Sequence, residues 1–310
     1  MIQPRVLVTG ATGLLGATLV DAWRTDWQVA ALAQRFRFGL ADVENVSMDL
    51  GDLAALPGLV ERLAPDLIVH CAALTNLDLC EQQPALARTI HRDATAVLAR
   101  AAQRRGAAFV AISTDAVFGQ GERAHREDDP VFPLSAYART KWEGEQAALD
   151  ETGGEALVVR TCIHGWNAQP KSSLSEWILG ELRAGRSLTG FTDVFFTPLL
   201  CNTLGRALPR LLERKAKGVV HVAGADIISK YDFAVALARQ FGLDEQLVRR
   251  GSIADSPLRA SRPRFPCLDS ARFAALTSWP LARTADDFAE MKRLEDGGYP
   301  QRLRGLVSRN

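Results

Sequence analysis

Near its start the chain reads Arg5-Val-Leu-Val-Thr9-Gly10-Ala11-Thr12-Gly13-Leu14-Leu15-Gly16. The apolar run from Val6 to Val8 is typical of a strand buried on both faces, and helical spacing of apolar residues predicts a helix over residues 14–23. The three glycines between them allow a tight turn, the approach of a pyrophosphate and close packing of the helix on the strand. The stretch therefore predicts a nucleotide phosphate site at a helix N-terminus. The alternative is a turn that is rich in glycine only for packing.

The composition is that of an ordinary globular protein. The chain has 310 residues, of which 47% are hydrophobic and 24% charged, enough for one large domain or two small ones. The first strand follows Met1 almost directly and no apolar run is long enough to span a bilayer, so we expect a cytoplasmic protein with no membrane partner. A net charge of +1 with scattered arginines argues against nucleic acid. We therefore expect a small-molecule partner.

The cysteines indicate neither disulfides nor a metal site. They are odd in number, irregularly spaced and form no CxxC pair: Cys71, Cys80, Cys162, Cys201 and Cys267. We expect reduced, mostly buried thiols and no bound metal.

Strands and helices alternate over the first 160 residues. Further strands are predicted over residues 28–32, 46–48, 67–71, 108–113 and 156–160, with helices over 84–105 and over 135–150, where Ser135 is the expected N-cap. Alternation of this kind predicts right-handed crossovers and a parallel sheet, so the expected fold class is α/β, a doubly wound sheet of the Rossmann type.

Beyond residue 160 the predicted elements become shorter and more mixed. They are a helix from about Leu174, a helix over 203–214, a strand over 218–222, a helix over 229–241 and a last amphipathic helix over 286–294. We expect a dinucleotide-binding domain over residues 1–160. Residues 161–310 would form mainly a smaller C-terminal α/β substrate lobe, with some segments returning to the first domain.

The end of the second strand bears on the choice of cofactor. It continues as Gln34-Arg35-Phe36-Arg37. A chain that binds NAD usually has an acidic residue near this point for the ribose 2′-hydroxyl, whereas a basic residue accommodates the 2′-phosphate of NADP. Arg35 and Arg37 therefore favour NADPH, with NADH still open. The alternative is that both arginines are solvated loop residues.

Proton-transfer chemistry is predicted at Tyr137-Ala-Arg-Thr-Lys141, near the start of the helix after the fifth strand. Tyr137 and Lys141 are one helical turn apart and share a face. An ammonium beside a phenol favours the phenolate and lowers the pKa of the tyrosine, so Tyr137 can act as a general acid. Thr114, at the carboxyl end of the fifth strand, can donate its hydroxyl to the same substrate oxygen.

Three motifs together resemble the extended short-chain dehydrogenase/reductases: Gly10-x-x-Gly13-x-x-Gly16, Ser113-Thr114-Asp115-Ala116-Val117-Phe118-Gly119 and Tyr137-x-x-x-Lys141. Further details are similar to the dTDP-4-dehydrorhamnose reductase group. They are Thr-Asp-x-Val-Phe at 114–118, Ala72-Ala73-x-Thr75 with Asp78 and Glu81, and Arg262-Pro263 followed by Leu268-Asp269.

The resemblance implies a role for each matching position. Thr114, Tyr137 and Lys141 would be catalytic, and Lys141 would also hold the nicotinamide ribose. Cofactor phosphates would lie at Gly10, Thr12, Gly13, Leu14 and Leu15, the adenine at Asp49 and Leu50, and the ribose at Ala72 and Ala73. The substrate would contact Thr75, Thr114, Asp115, Tyr137, Trp166 and Arg262, and Asp193 lies in another stretch that lines the family's site.

The chain also departs from the family pattern. His91 stands where many extended members have an asparagine, and it is either a polar anchor or proton relay, or a histidine that only packs. Arg160-Thr-Cys-Ile-His164-Gly165 lacks the tryptophan of the reductase pattern, which leaves the sugar open. Asp115-Ala116 lacks the glutamate of 4,6-dehydratases, which disfavours dehydration. For Trp166 core packing is the alternative, and for Arg262 surface charge.

These observations predict an NADPH-dependent reductase that passes a hydride to a ketone, the 4-keto group of a nucleotide-activated deoxysugar. One alternative is a non-catalytic NADP-binding regulatory subunit that resembles that of methionine adenosyltransferase. Another is a sugar-nucleotide epimerase. The nucleotide, the stereochemistry of reduction and the formation of a homodimer are left open by the sequence.

Overall fold

The computed structural model describes residues 3–256 and 260–309. Within these ranges the strands are β1 (Arg5–Thr9), β2 (Gln28–Ala33), β3 (Phe36–Phe38), β4 (Val43–Ser47), β5 (Leu67–His70), β6 (Ala108–Thr114), β7 (Leu157–Thr161), β8 (Ile163–His164), β9 (Leu188–Phe191), β10 (Phe195–Phe196), β11 (Leu199–Leu200), β12 (Gly218–His221), β13 (Ile228–Ser229), β14 (Val248–Gly251) and β15 (Val307–Arg309). The helices are α1 (Leu14–Trp23), α2 (Leu56–Leu63), α3 (Leu77–Gln82), α4 (Pro84–Arg88), α5 (Ala94–Arg105), α6 (Ala136–Glu151), α7 (Leu174–Arg183), α8 (Cys201–Glu213), α9 (Lys230–Gln240), α10 (Ala271–Thr277), α11 (Thr284–Asp296) and α12 (Tyr299–Gly305).

The main sheet of the described residues has seven strands in the order β12-β7-β6-β5-β1-β2-β4. All neighbouring strands are parallel, which confirms the predicted α/β doubly wound fold. From β1 the chain runs outward through β2 to β4, then returns to β5 and continues in the opposite direction. The strand order therefore reverses between β1 and β5, and ligands of such sheets bind in the crevice outside the carboxyl ends at this point.

The sheet is covered on both sides, as the apolar run in β1 predicts. Val6, Leu7 and Val8 have no exposed surface. Val6 and Val8 belong to a core shared with α1, α8 and the C-terminal segments, while Leu7 packs with Ile68 against residues of α2 and α5. Burial on both faces fixes the position of β1 between the two helical layers. It therefore also fixes the place where the carboxyl end of β1 meets the crevice.

Close backbone contacts at the crevice require glycine. Gly10 has a φ of +62°, and a Cβ there would lie 2.7 Å from the Cα of Ala72, at the end of β5. A Cβ on Gly16 would lie 2.2 Å from the carbonyl oxygen of Gly10. Backbone contacts thus hold together the glycine turn, the start of α1 and the segment after β5.

Three elements of secondary structure differ from the sequence-based expectations. The strand expected over 46–48 is β4, Val43–Ser47, which lies in register with β2 along its length. Arg37 is part of β3, which pairs antiparallel with β15 at the end of the chain. The helix expected over 286–294 is α11, and it is not the last one, because α12 and β15 follow it. Strands of three residues are too short to produce a periodic signal.

Smaller sheets lie outside the main one. The pairs β8 with β11, β9 with β14 and β10 with β13 tie residues 163–251 together, while β12 joins the main sheet next to β7. The division into a domain over 1–160 and a lobe over 161–310 stays a prediction. None of the described helices is long and apolar enough to cross a bilayer.

Gly10→Ala is expected to destabilise the fold by about 1–3 kcal/mol, because alanine would be strained at positive φ and its Cβ would collide with the segment after β5. The matched control is Gly58→Ala in α2, where an added Cβ meets no atom within 4 Å. Thermal and urea unfolding of both variants check this. Equal stability of the two variants would contradict the proposed packing of the turn.

Candidate active site

The glycine turn leaves the N-terminus of α1 without a side-chain cap. Gly13 is the N-cap and supplies no side-chain cap, while its own N–H donates to the carbonyl oxygen of Gly10 at 2.9 Å. A Cβ on Gly13 would meet only that oxygen, at 3.2 Å, so the outer side of the turn is clear. The first-turn amides, including those of Leu14 and Leu15, are suited to a phosphate. The Leu15 side chain is buried, so only its backbone could serve there.

The expected adenine side follows β2 and β4. Asp49 accepts hydrogen bonds from the Gln34 side chain and from the N–H of Gly51, both at 2.8 Å, and Leu50 beside it is buried. Arg35 is exposed next to Gln34. Arg37 is exposed too, but it lies within β3, opposite Ser308 of β15.

A segment of the second half of the chain crosses to the cofactor side. Gln169 donates from Nε2 to Oγ1 of Thr12 at 2.8 Å, and Lys171 donates from Nζ to Oγ1 of Thr75 at 2.5 Å. Thr12 belongs to the glycine turn and Thr75 follows Ala73 after β5. The segment therefore closes one side of the crevice, and neither Gln169 nor Lys171 was predicted as a site residue.

The helix that carries Tyr137 and Lys141 begins as predicted. The Ser135 side chain caps α6 by accepting from the N–H of Ala138, and the Glu81 carboxylate accepts from the N–H of Ala136 at 2.7 Å. These two contacts satisfy free amides of the first turn. They hold Tyr137, in that same turn, at the carboxyl edge of the sheet.

Burial controls the acidity of the two side chains. It raises the pKa of Tyr137 above its ordinary value; an interaction with the Thr114 side chain opposes the rise and the nearby Asp115 adds to it. Burial lowers the pKa of Lys141 to about 8, and its Nζ donates to the carbonyl oxygen of Ile112 at 2.7 Å. The expectation that Lys141 lowers the pKa of Tyr137 toward neutrality is therefore wrong for this arrangement, because desolvation raises the pKa of the phenol while the ammonium lies on the carbonyl oxygen of Ile112.

Thr114 and Asp115 lie beside the phenol at the end of β6. The Thr114 hydroxyl donates to Oδ1 of Asp115 at 3.0 Å and accepts from the N–H of Ala116 at 3.1 Å. Burial raises the pKa of Asp115, while the ammonium of Lys230 and hydrogen bonds from Cys162 and Thr114 act to lower it. The structure thus brings Thr114, Asp115 and Tyr137 together.

The cysteines near the site are thiols. Burial raises the pKa of Cys71 to about 12 and that of Cys80 to about 11, and it raises the pKa of Cys162 as well. All five cysteines are free. A thiolate nucleophile is therefore not part of the chemistry this site can perform near neutral pH.

His91 fastens the segment after β5 to α6. Its Nε2 accepts from the N–H of Leu74 at 2.9 Å, so its Nδ1 carries the proton and donates to Oγ1 of Thr140 at 2.8 Å. The ring also meets Tyr137 edge-on, with centroids 5.4 Å apart. Burial lowers the pKa of His91 to about 3, so it stays neutral. A π-helical turn, Thr89–Asp93, interrupts the helix expected over 84–105 at this residue.

Two predicted substrate residues have different surroundings. Trp166 is only 3% exposed, packs on Phe241 and donates from Nε1 to the carbonyl oxygen of Met291. Its proposed substrate contact is therefore corrected to a packing role, since the indole is enclosed by the core. Arg262 is partly buried and donates to the carbonyl oxygen of Ala260 at 3.1 Å.

Arg262 lies close to the first half of the chain. The N–H of Ala260 donates to the Asp78 carboxylate in α3 at 2.9 Å, which anchors the segment before Arg262 across the crevice. Asp193 instead accepts from the Ser252 hydroxyl and from the N–H of Ile253, so it holds a turn of residues 252–253.

Comparison with known proteins agrees with this architecture. The methionine adenosyltransferase 2 subunit beta of Pongo abelii is 33% identical over 282 residues, which cover 88% of this chain and 82% of that protein. The dTDP-4-dehydrorhamnose reductase of Mycobacterium tuberculosis is 31% identical over 284 residues, covering 89% and 88%. A crystal structure of dTDP-4-dehydrorhamnose reductase from Bacillus anthracis, in complex with NADP, has the same fold. Its TM-score is 0.83 at 22% identity, with 94% of this chain and 99% of that chain covered.

The family profile extends over both halves of the molecule. It matches residues 4–293, from β1 through most of α11, and so includes the glycine turn, the helix of Tyr137 and Lys141, and the segments that cross the crevice. The chain belongs to the RmlD substrate binding domain family.

Proposed function

We propose that the protein is an NADPH-dependent reductase of a nucleotide-activated deoxysugar, acting on the 4-keto group. The observation that carries this proposal is a protonated Tyr137 beside the Thr114 hydroxyl, one helical turn from Lys141, at the same sheet edge as a glycine turn without a side-chain cap. The reductase of Mycobacterium tuberculosis supports the substrate class through its likeness to this chain. A cytoplasmic location and a homodimer stay predictions.

The chain's own residues fit a dinucleotide. The clear space outside Gly13 would take the pyrophosphate, Ala72 and Ala73 would face a ribose, and Asp49 with Leu50 the adenine. Arg35 would pair with a 2′-phosphate, which favours NADPH over NADH. When bound, this cofactor supplies the hydride.

Reduction of a ketone also needs a proton and a partner for the growing negative charge on oxygen. Tyr137 donates the proton, which burial retains on the phenol at neutral pH. The Thr114 hydroxyl turns from Asp115 to the same oxygen by rotation about its C–O bond and stabilises the charge. With the cofactor bound, the Lys141 ammonium would hold the ribose hydroxyls, and its positive charge would favour loss of the proton from Tyr137.

A non-catalytic regulatory subunit is the second candidate, because methionine adenosyltransferase 2 subunit beta is similar over most of this chain. Such a protein would bind the cofactor without oxidising it in the presence of any ketosugar, and it would co-purify with a larger enzyme. An epimerase would instead change the sugar without net use of reduced cofactor. Measurements of sugar turnover and of NADPH consumption distinguish the reductase, the regulatory subunit and the epimerase.

Tyr137→Phe is expected to lower kcat for ketone reduction about 10²–10⁴-fold while leaving NADPH affinity within about twofold, since only the proton donor is lost. NADPH oxidation with dTDP-4-dehydrorhamnose measures the first quantity and nicotinamide fluorescence the second. Tyr231→Phe, on α9, is the matched control. Full ketone reduction by Tyr137→Phe would exclude this role.

NADPH affinity is expected to depend on the charge of Lys141. The ammonium is charged below its pKa of about 8 and loses its proton above it, so Kd should be constant at lower pH and rise by up to about tenfold per pH unit above 8. Lys141→Met should bind more weakly and lack this rise. A wild-type Kd that is flat to pH 10 would show that Lys141 does not contact the cofactor.

A further inference from the structure

Lys230 reaches the catalytic side of the crevice from the second half of the chain. It is the first residue of α9, whose N-cap is Ser229, and its N–H donates to the carbonyl oxygen of Val194 at 2.9 Å. The pairing of β13 with β10 places Phe196 opposite Ile228. The Lys230 ammonium lies above the Phe196 ring, 3.1 Å from its centroid.

The surroundings of this ammonium connect it to the catalytic groups. Its charge acts on Asp115, which accepts the Thr114 hydroxyl, and on Cys162 at the end of β7. Burial lowers the pKa of Lys230, whereas Asp115 and the neighbouring thiols raise it. The Lys230 ammonium and the Asp115 carboxylate therefore interact electrostatically, although they are more than a hundred residues apart in sequence.

The ammonium lacks an acceptor of its own in the part of the chain that the structure describes. Among residues 3–256 and 260–309, no carboxylate lies within 4 Å of its Nζ and no oxygen accepts a hydrogen bond from it. The aromatic face of Phe196 stabilises the cation, and the Lys230 side chain is only partly buried, so its N–H donors are open to a ligand.

We propose that Lys230 donates a hydrogen bond to an oxygen of the sugar ring and is a specificity-determining residue for the substrate. The proposal rests on the proposed function, because it assumes that the sugar occupies the space beside Thr114 and Tyr137. Phe196 holds the ammonium from one side, which leaves its donors directed to the ligand. The second half of the chain thus contributes a charge that recognises the sugar and not the nucleotide.

The test separates the sugar from the nucleotide. Binding of dTDP and of dTDP-rhamnose is measured by calorimetry on the NADP complex of the wild type, Lys230→Met and Lys230→Arg. The wild type should bind dTDP-rhamnose more tightly than it binds dTDP. Lys230→Met should lose about tenfold in affinity for dTDP-rhamnose, bind dTDP equally well, and raise KM for the ketone more than it lowers kcat.

Controls distinguish a ligand contact from a structural role. Lys217→Met removes an exposed lysine that pairs with Glu155 and should change neither binding nor turnover. Lys230→Arg keeps the charge and should retain part of the sugar's contribution. If Lys230→Met does not fold, Lys230→Gln, which is neutral and polar, is compared with Lys230→Arg by the same measurements.

The binding measurements test the role of Lys230 separately from the proposed reductase function. Undiminished affinity of Lys230→Met for dTDP-rhamnose, or equal losses for dTDP-rhamnose and dTDP, would overturn the role of Lys230 while leaving the reductase intact. A wild type that binds neither ligand, nor their UDP and GDP counterparts, and reduces no ketosugar would overturn the proposed function and this inference together.

Discussion

The backbone contact between Gly10 and the segment after β5 is the constraint on which the rest of the site depends. A Cβ at Gly10 would lie 2.7 Å from the Cα of Ala72, so the turn and this segment can meet only if residue 10 has no side chain. The contact lies where the strand order reverses, between β1 and β5. It therefore fixes the floor of the crevice and the direction of the first-turn amides of α1 toward it.

The opposite wall of the crevice is α6, and His91 connects it to the same floor. By accepting from Leu74 and donating to Thr140, the neutral imidazole sets the distance between the segment after β5 and the helix that carries Tyr137. A Cβ on Gly144 would lie 2.2 Å from the carbonyl oxygen of His91, so this close packing also needs a glycine. The structure thus favours the polar-anchor interpretation of His91 over simple packing.

Burial, more than local charge, determines the protonation states within the crevice. It keeps the proton on Tyr137 and brings the pKa of Lys141 to about 8, while Asp115 has a raised pKa despite the charge of Lys230. A protonated phenol beside a hydroxyl and a cation is what reduction of a ketone needs at neutral pH. The reverse reaction would start from the phenolate, which this environment disfavours.

Local patterns in the sequence were enough to predict α1, which begins and ends as expected at Leu14 and Trp23, and the cap of α6 at Ser135. They predicted the central strands because buried parallel strands are continuous apolar runs. They could not predict the burial of Trp166, which depends on contacts with Phe241 and Met291 far along the chain. Lys230 was missed for the same reason, since a lysine in the first turn of a helix carries no local signal of a cleft.

In the proposed reaction, Tyr137 and its neighbours reduce a ketone with a hydride from NADPH. The direct test is incubation with dTDP-4-dehydrorhamnose and NADPH that carries deuterium at both C4 positions of the nicotinamide, followed by mass spectrometry and NMR of the product. We expect one deuterium at C4 of the product sugar for each NADPH consumed. Tight NADPH binding without transfer, or an epimerised sugar that gains no deuterium and consumes no NADPH, would contradict it.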